Sequence, residues 1–269
     1  MKTFESQLQN LCQRRPLGLL FDIDGVLSPI APTPDEAHLH PAVRPLLEEA
    51  RKWAHIAIVT GRAIESGAAM VNVEGLTYIG AHGLEWSDGL PSHHTVQVVS
   101  EALSLVEPGN RLLDLAEQVL VDQPGILIER KRVGGAIHYR LSPDPEQARE
   151  YIRSVLEEPI QQSGLRLSEG KRMFEIRPAL AIDKGKALLW FVERFAVRGA
   201  MFAGDDRTDL DAMLALKPLH TQGIETLAVT VQHHDTLPAL LEQADIVVQE
   251  VDGMVELLRE LVDLLRKQQ

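Results

Sequence analysis

The stretch Leu19-Leu20-Phe21-Asp22-Ile23-Asp24-Gly25-Val26-Leu27 decides the reading of this chain. An unbroken apolar run beginning at Leu17 has the pattern of a strand buried on both faces, and it delivers two carboxylates, spaced i and i+2, to its own carboxyl end. Gly25 lets the backbone turn away. Two like charges this close resist ionising together unless a cation or a proton lies between them, and a hard divalent ion such as Mg²⁺ resolves that conflict. A single Asp after a strand is ordinarily a turn former or helix cap.

A partner stretch argues against that plainer reading. Gly204-Asp205-Asp206-Arg207-Thr208-Asp209 follows a second apolar strand, Ala200–Ala203, and would bring further carboxylates to the same rim of one sheet. Ile58-Val59-Thr60-Gly61-Arg62 ends another strand in a hydroxyl and a glycine near a helix start, where backbone N–H groups and the helix dipole suit a phosphate. Asp183-Lys184-Gly185-Lys186 opens a helix running toward Phe195, and it sets an ammonium where it would neutralise an anionic transition state.

Working outward, Leu17–Phe21, Ile56–Thr60, Met201–Ala203, Leu227–Val231 and Ile246–Val248 read as buried strands alternating with helical patterns. That order predicts an α/β fold with a parallel sheet covered on both faces and ligands gathered beyond the carboxyl ends of its strands. Leu258, Leu261, Val262 and Leu265 mark one apolar face of a C-terminal helix. Between Pro108 and Pro178 the order changes to helix, two strands, helix, two strands. The elements there are Leu112–Val121, Ile126–Arg132, Ala136–Leu141, Pro145–Leu156, Leu165–Leu167 and Lys171–Arg177. Strands joined through Gly134-Gly135 suit an antiparallel hairpin, so an α+β domain spanning 108–178 is expected as an insert between core segments 1–107 and 179–269. A cleft beside such an insert is the default ligand site.

Composition narrows the function. The 269 residues suffice for roughly two domains. Acidic residues outnumber basic ones 39 to 27, for a formal charge of −12. That balance disfavours nucleic acid and anionic membranes as partners. With 45% apolar and 25% charged residues the chain is an ordinary folding sequence. Cys12, the one cysteine, has no partner for a disulfide and reads as inert packing in a reducing compartment. The first residues lack the apolar run of a secretory signal, and no later segment has about 18 uninterrupted apolar residues, so a cytoplasmic location is expected. Against the acidic background, Ile126–Arg140 and Gly170–Pro178 hold seven basic residues (Arg130, Lys131, Arg132, Arg140, Lys171, Arg172, Arg177) and two acidic ones (Glu129, Glu175). Period-two alternation sends Ile137, Tyr139, Phe174 and Ile176 into a small core and leaves a face mixing Lys, Arg, Glu and His, which suits sugar hydroxyls.

Taken in chain order, the four acidic, hydroxyl and lysine stretches resemble the motifs of the haloacid dehalogenase-like (HAD) phosphotransferases, a Rossmannoid core carrying a cap domain. LLFDIDGVLSPI (Leu19–Ile30), YIGAHGLE (Tyr78–Glu85), GDDRTD (Gly204–Asp209) and the hairpins around Glu129-Arg130-Lys131, His138-Tyr139-Arg140, Gly170-Lys171 and Glu175-Ile176-Arg177-Pro178 resemble, within that superfamily, the trehalose-6-phosphate phosphatases. The resemblance runs from about Leu17 to Val248. It implies Asp22 as nucleophile, Asp24 as general acid and base, Thr60 on a phosphoryl oxygen, and Lys184 bridging phosphate and nucleophile. It further implies Mg²⁺ held by Asp22, the Asp24 carbonyl and Asp205, with Asp206 and Asp209 as ligands or supports. Gly61 and Arg62 would lie on the phosphate side. His82 is a further candidate contact, although in Gly80-Ala81-His82-Gly83 it reads first as a hydrogen-bonded loop or hinge residue. Glu129, Lys131, Arg140, Lys171 and Glu175 would grip the glucosyl units as the cap closes over them.

The chain departs from the family pattern at Ile23, Val26, Leu210 and Met173, the last at a cap position where a polar sugar contact is expected. A phosphatase for another glycosyl phosphate, such as glucosylglycerol phosphate, therefore stays open beside trehalose 6-phosphate. So do a non-catalytic sugar-phosphate sensor and, less favoured, a phosphomutase. The expected partner is a small sugar phosphate, and no oligomer is indicated. The remaining histidines, including His93-His94 and His233-His234, read as surface residues.

Overall fold

The computed structural model describes residues 2–268, with side chains from Glu5 onward. In chain order, helix α1 (Lys2–Cys12) precedes strand β1 (Leu17–Phe21), α2 (Val43–Ala50), β2 (His55–Val59), α3 (Ile64–Val71), β3 (Thr77–Gly80), β4 (Glu85–Asp88) and the two-residue β5 (Gln97–Val98). Then come α4 (Val106–Leu120), β6 (Leu127–Arg130), β7 (Gly135–His138), α5 (Pro145–Gln161), β8 (Leu165–Gly170) and β9 (Met173–Pro178). The chain ends with α6 (Lys184–Arg194), β10 (Gly199–Gly204), α7 (Asp209–Thr221), β11 (Glu225–Gln232), α8 (Pro238–Gln243), β12 (Ile246–Gln249) and α9 (Glu250–Arg266).

Two compact units result, Met1–Gln97 with Ile182–Gln269, and Val98–Ala181. The second begins ten residues before the expected 108 and ends three after 178. Pro108 misleads because it stands in the first turn of α4, where a missing N–H costs nothing. A 3-10 turn over Ser100–Leu105 runs straight into that helix.

The first unit is built on an eight-stranded sheet in the order β12-β11-β10-β1-β2-β3-β4-β5. The pairs from β12 to β3 are parallel, as the alternating pattern predicts, and β4 adds an antiparallel strand on β3. Strands β3, β4 and β5 were not foreseen in the sequence. All five residues of β1 are buried, which explains its continuous apolar run. Successive residues nonetheless part company: Leu19 and Phe21 pack with Ile58, Met201 and the helix α9 residues Leu258, Leu261 and Leu265, whereas Leu20 packs with Val59, Phe202, Leu188 and Phe191. The sheet thus has a core on each face. Cys12 lies in the first of them, and burial pushes its thiol up to about 11, so reactive thiolate is scarce at neutral pH.

Register sets the site. Phe21 pairs with Ala203 on one side and Ile58 on the other. The Asp22 N–H then donates to the Ala203 carbonyl at 3.0 Å, so Asp22, Gly204-Asp205 and Val59-Thr60 emerge level at one rim.

In the second unit β6-β7-β9-β8 form an antiparallel sheet. Ile137, Tyr139, Phe174 and Ile176 are buried, with Ile152, Leu156 and Ile160 of α5 also buried in the unit. Helix α5 continues past Pro159 instead of stopping at Leu156. Among the described residues no helix is long and apolar enough to cross a membrane.

Leu261 is fully buried beneath the sheet. Leu261→Ala is expected to lower the unfolding free energy by about 2–5 kcal/mol in chemical denaturation, whereas truncating the exposed Leu214 should change it by well under about 1 kcal/mol.

Candidate active site

Asp22 sits just beyond β1 and is 5% exposed. Lys184 is the first residue of α6, whose N-cap Asp183 accepts the Lys186 N–H at 2.9 Å and so fixes where the helix begins. A lysine at a helix start ordinarily stands in solvent, but this one is 2% exposed. Its Nζ lies 3.1 Å from Asp22 Oδ1 and 2.7 Å from Asp209 Oδ1. Asp209, fully buried at the start of α7, turns its other oxygen back to accept the N–H groups of Asp205 and Asp206 at 2.9 and 3.1 Å. That clasp shapes the acidic loop after β10.

One oxygen each from Asp22, Asp205 and Asp209 lies within 4.8 Å of the others. Burial pushes the carboxyls of Asp22 and Asp205 well above the ordinary value, and the neighbouring carboxylates add to it, with Lys184 opposing. Burial would likewise depress the Lys184 ammonium, but Asp209 and Asp22 outweigh it and hold the charge on. One cation against three buried carboxylates leaves negative charge uncompensated. The donor set is hard oxygen throughout, so the residues fit a metal ion, and a divalent cation would supply the missing charge.

Asp206 differs from its neighbours. Its Oδ1 accepts the N–H and hydroxyl of Thr208 at 2.8 and 2.7 Å, and it does not join the three-carboxylate group. Burial raises its pKa less than Lys184, Thr208 and His82 lower it, and the net direction is down. Asp209, committed to Lys184 and two backbone N–H groups, braces the loop after β10.

Asp24 faces Arg62. The guanidinium forks onto it, Nε to Oδ2 and Nη2 to Oδ1 at 2.7 Å each, while Nη1 donates to the Pro34 carbonyl at 3.1 Å. Arg62 was expected on the phosphate side, and the structure places it on Asp24, where a planar fork matches a carboxylate. Thr60 is buried, with its hydroxyl oxygen accepting the Arg62 N–H at 3.2 Å. His82 takes a left-handed backbone (φ +58°), donates its N–H to the Thr60 carbonyl at 3.0 Å, and packs its ring on Gly61 so closely that a Cβ there would meet Cε1 at 2.6 Å. It behaves as the hydrogen-bonded loop residue anticipated, tying the loop after β3 to the loop after β2.

His233, read as a surface residue, is instead 9% exposed and lies at this rim, with Nε2 2.8 Å from the Gly25 carbonyl oxygen and 3.7 Å from Asp205 Oδ2. One signal was available: it directly follows a parallel strand, where rim residues come from.

Within the second unit, Glu129 and Glu175 both pair in register with Ala136, on either side of it, so they share a face. Lys131 is buried and ion-paired with Glu175, Arg177 approaches the same carboxylate at 3.8 Å, and His138 lies 3.3 Å from Glu129. Arg140 and Lys171 are exposed, the first donating to the carbonyl of the second at 3.4 Å. Arg130 turns to Asp114 and Glu117 on α4.

The family model described as Trehalose-phosphatase matches residues 20–242. The chain belongs to the trehalose-phosphatase family. It is 31% identical over 233 residues to the trehalose-phosphate phosphatase of Mycobacterium bovis, covering 84% of this chain and 56% of that relative. The chain thus spans about half the length of the curated relatives it matches. Solved structures share the fold. One titled as a trehalose-6-phosphate phosphatase related protein superposes with a TM-score of 0.77 at 23% identity, covering 94% of this chain and all of the other. The C-terminal domain of the Candida albicans trehalose-6-phosphate phosphatase gives 0.78 at 20% identity, with 96% of each chain covered. The matched segment in this trehalose-phosphatase family member contains every acidic residue of the rim.

A carboxyl raised above its unfolded value of 3.8 contributes most to stability while protonated, and that contribution is lost as pH rises through the folded value. In EDTA, the difference in melting temperature between Asp22→Asn and the wild type is expected to move in favour of the variant as pH rises above 3.8, the ordinary value of the carboxyl, towards its raised value in the folded protein. A divalent cation should reverse that trend, and a difference that stays flat with pH in EDTA would refute the raised Asp22 carboxyl.

Proposed function

We propose that the chain is a cytoplasmic phosphoric monoester hydrolase acting on trehalose 6-phosphate, with Asp22 as the nucleophile and Mg²⁺ as the ion at the acidic rim. The observation that carries this reading is Asp22 itself, held 3.1 Å from a buried ammonium with two further carboxylates in reach.

Mg²⁺ would be held by Asp22, the Asp24 carbonyl and Asp205, where it would neutralise phosphoryl charge. The remaining chemistry belongs to the side chains. An Asp22 oxygen attacks phosphorus in line as the bond to the sugar oxygen breaks, and the leaving oxygen takes its proton from Asp24. Water then attacks the phosphorus of the aspartyl-phosphate, gives its proton to Asp24, and releases phosphate and Asp22. The Arg62 fork, donating to both Asp24 oxygens, fixes where that carboxyl stands relative to the reacting oxygen. Lys184 offsets the charge gathering on Asp22 and the transferring group, and the Thr60 hydroxyl and Gly61 N–H serve the phosphoryl oxygens. Glu129, Lys131, Arg140, Lys171 and Glu175 are the proposed sugar contacts.

Met173 favours a second reading. It is half-buried on the face of Glu175, two residues away along β9, and offers sugar hydroxyls neither a donor nor a strong acceptor. Another glycosyl phosphate, such as glucosylglycerol phosphate, is the competing substrate.

Two experiments test the proposal. Asp22→Asn should abolish phosphate release from trehalose 6-phosphate with Mg²⁺ present while leaving the circular dichroism spectrum unchanged, and turnover near the wild-type rate would end the nucleophile assignment. Lys171→Ala and Glu175→Gln should each cut kcat/KM for the disaccharide phosphate about tenfold or more. Hydrolysis of p-nitrophenyl phosphate should stay within about twofold. Equal losses on both esters would make these residues supports of the fold.

A further inference from the structure

His233 lies outside every motif that suggested the function, yet its ring touches two of the loops that form the acidic rim. Its side chain is 6% exposed. Nε2 stands 2.8 Å from the Gly25 carbonyl oxygen, and since a carbonyl only accepts, Nε2 carries a hydrogen and donates it. From behind, Nδ1 lies 2.6 Å from Glu250 Oε2. Glu250 opens α9 with φ +52°, a left-handed backbone unusual for a residue with a side chain, and in that conformation its carboxylate reaches the ring.

Gly25 is the hinge of the loop that leaves Asp22. Its N–H donates to the Ser28 carbonyl at 2.8 Å, so with His233 on its own carbonyl the peptide groups on both sides of it are fixed. Its φ is +77°, and a Cβ there would meet Asp205 Oδ2 at 2.2 Å. The Asp205 carboxylate is therefore pressed against the Gly25 backbone, with His233 Nε2 alongside at 3.7 Å.

We propose that His233, braced by Glu250, is a positioning residue for the metal end of the site: it pins the Gly25 carbonyl and seats the Asp205 carboxylate, so that the Asp22–Ser28 loop and the Asp205 loop keep the spacing a divalent cation needs. The inference rests on the reading of the rim as a Mg²⁺ site. Partners lying behind metal ligands commonly contribute 10–100-fold in affinity by fixing ligand orientation.

The experiment is calorimetric titration of Mg²⁺ into the metal-free full chain, with wild type, His233→Ala, His233→Gln, Glu250→Gln and the His233→Ala/Glu250→Gln double variant. His233→Ala should weaken Mg²⁺ about 10–100-fold. His233→Gln, whose amide N–H can still donate to the Gly25 carbonyl, should recover most of that loss. Glu250→Gln should give a smaller loss that vanishes in the His233→Ala background, because Glu250 acts through the ring. Amide exchange in the metal-free protein supplies a readout independent of metal: His233→Ala should speed exchange at Gly25–Ser28 and leave β10 and β11 protected. If the wild type binds Mg²⁺ and His233→Ala matches it within about twofold, the inference is overturned. It is equally overturned if exchange speeds up across the whole sheet, which would mark a general support of the fold. If His233→Ala does not fold, Glu250→Gln carries the comparison, and wild-type Mg²⁺ affinity together with unchanged exchange at Gly25–Ser28 in that variant overturns the inference. Absence of Mg²⁺ binding by the wild type itself would instead bring down the cation reading on which it rests.

Discussion

The structure depends on a charge imbalance that the polypeptide does not cancel by itself. Asp22, Asp205 and Asp209 are all buried and face one ammonium, that of Lys184. Burying an unpaired charge is costly, so such a cluster persists only where something else supplies positive charge or where the surrounding fold is rigid enough to hold it. Here both conditions point the same way: the carboxylates sit on backbone fixed by sheet register and helix starts, and their oxygens converge on a space suited to a cation.

That rigidity comes from ordinary causes. Parallel pairing of β1 with β10 and β2 makes three strand ends flush, and alternate side chains of β1 are locked into cores above and below the sheet. Asp183 sets where α6 starts and so where Lys184 stands; Asp209 performs a related service for the loop after β10. The same residue types that would be ordinary surface caps become a buried charge cluster once the sheet places them side by side.

Much of this could be read from the chain because it is local. Continuous apolar runs ending in Asp mark buried parallel strands, and an Asp followed by Lys-Gly-Lys marks a helix start, so Asp22, Asp205 and Lys184 declared themselves. What stayed hidden depends on distant partners. His233 follows an ordinary strand within a polar turn, and only the fold brings it to Gly25, 208 residues away. Arg62 has a carboxylate partner 38 residues back that nothing in its neighbourhood announces. Pro108 looked like punctuation and proved to be a helix's first turn. The short strands β3 and β4 have too few residues to show a period, and they owe their existence to pairing with each other and with β2.

The way the large sheet ends has a consequence for the protein in a crowded solution. On one side the last strand, β5, is only two residues long, and on the other β12 has four. An intruding chain would find few unpaired peptide groups along either margin on which to continue the ladder. The margins of the large sheet are thereby poor templates for a further strand, despite the long aliphatic strands between them.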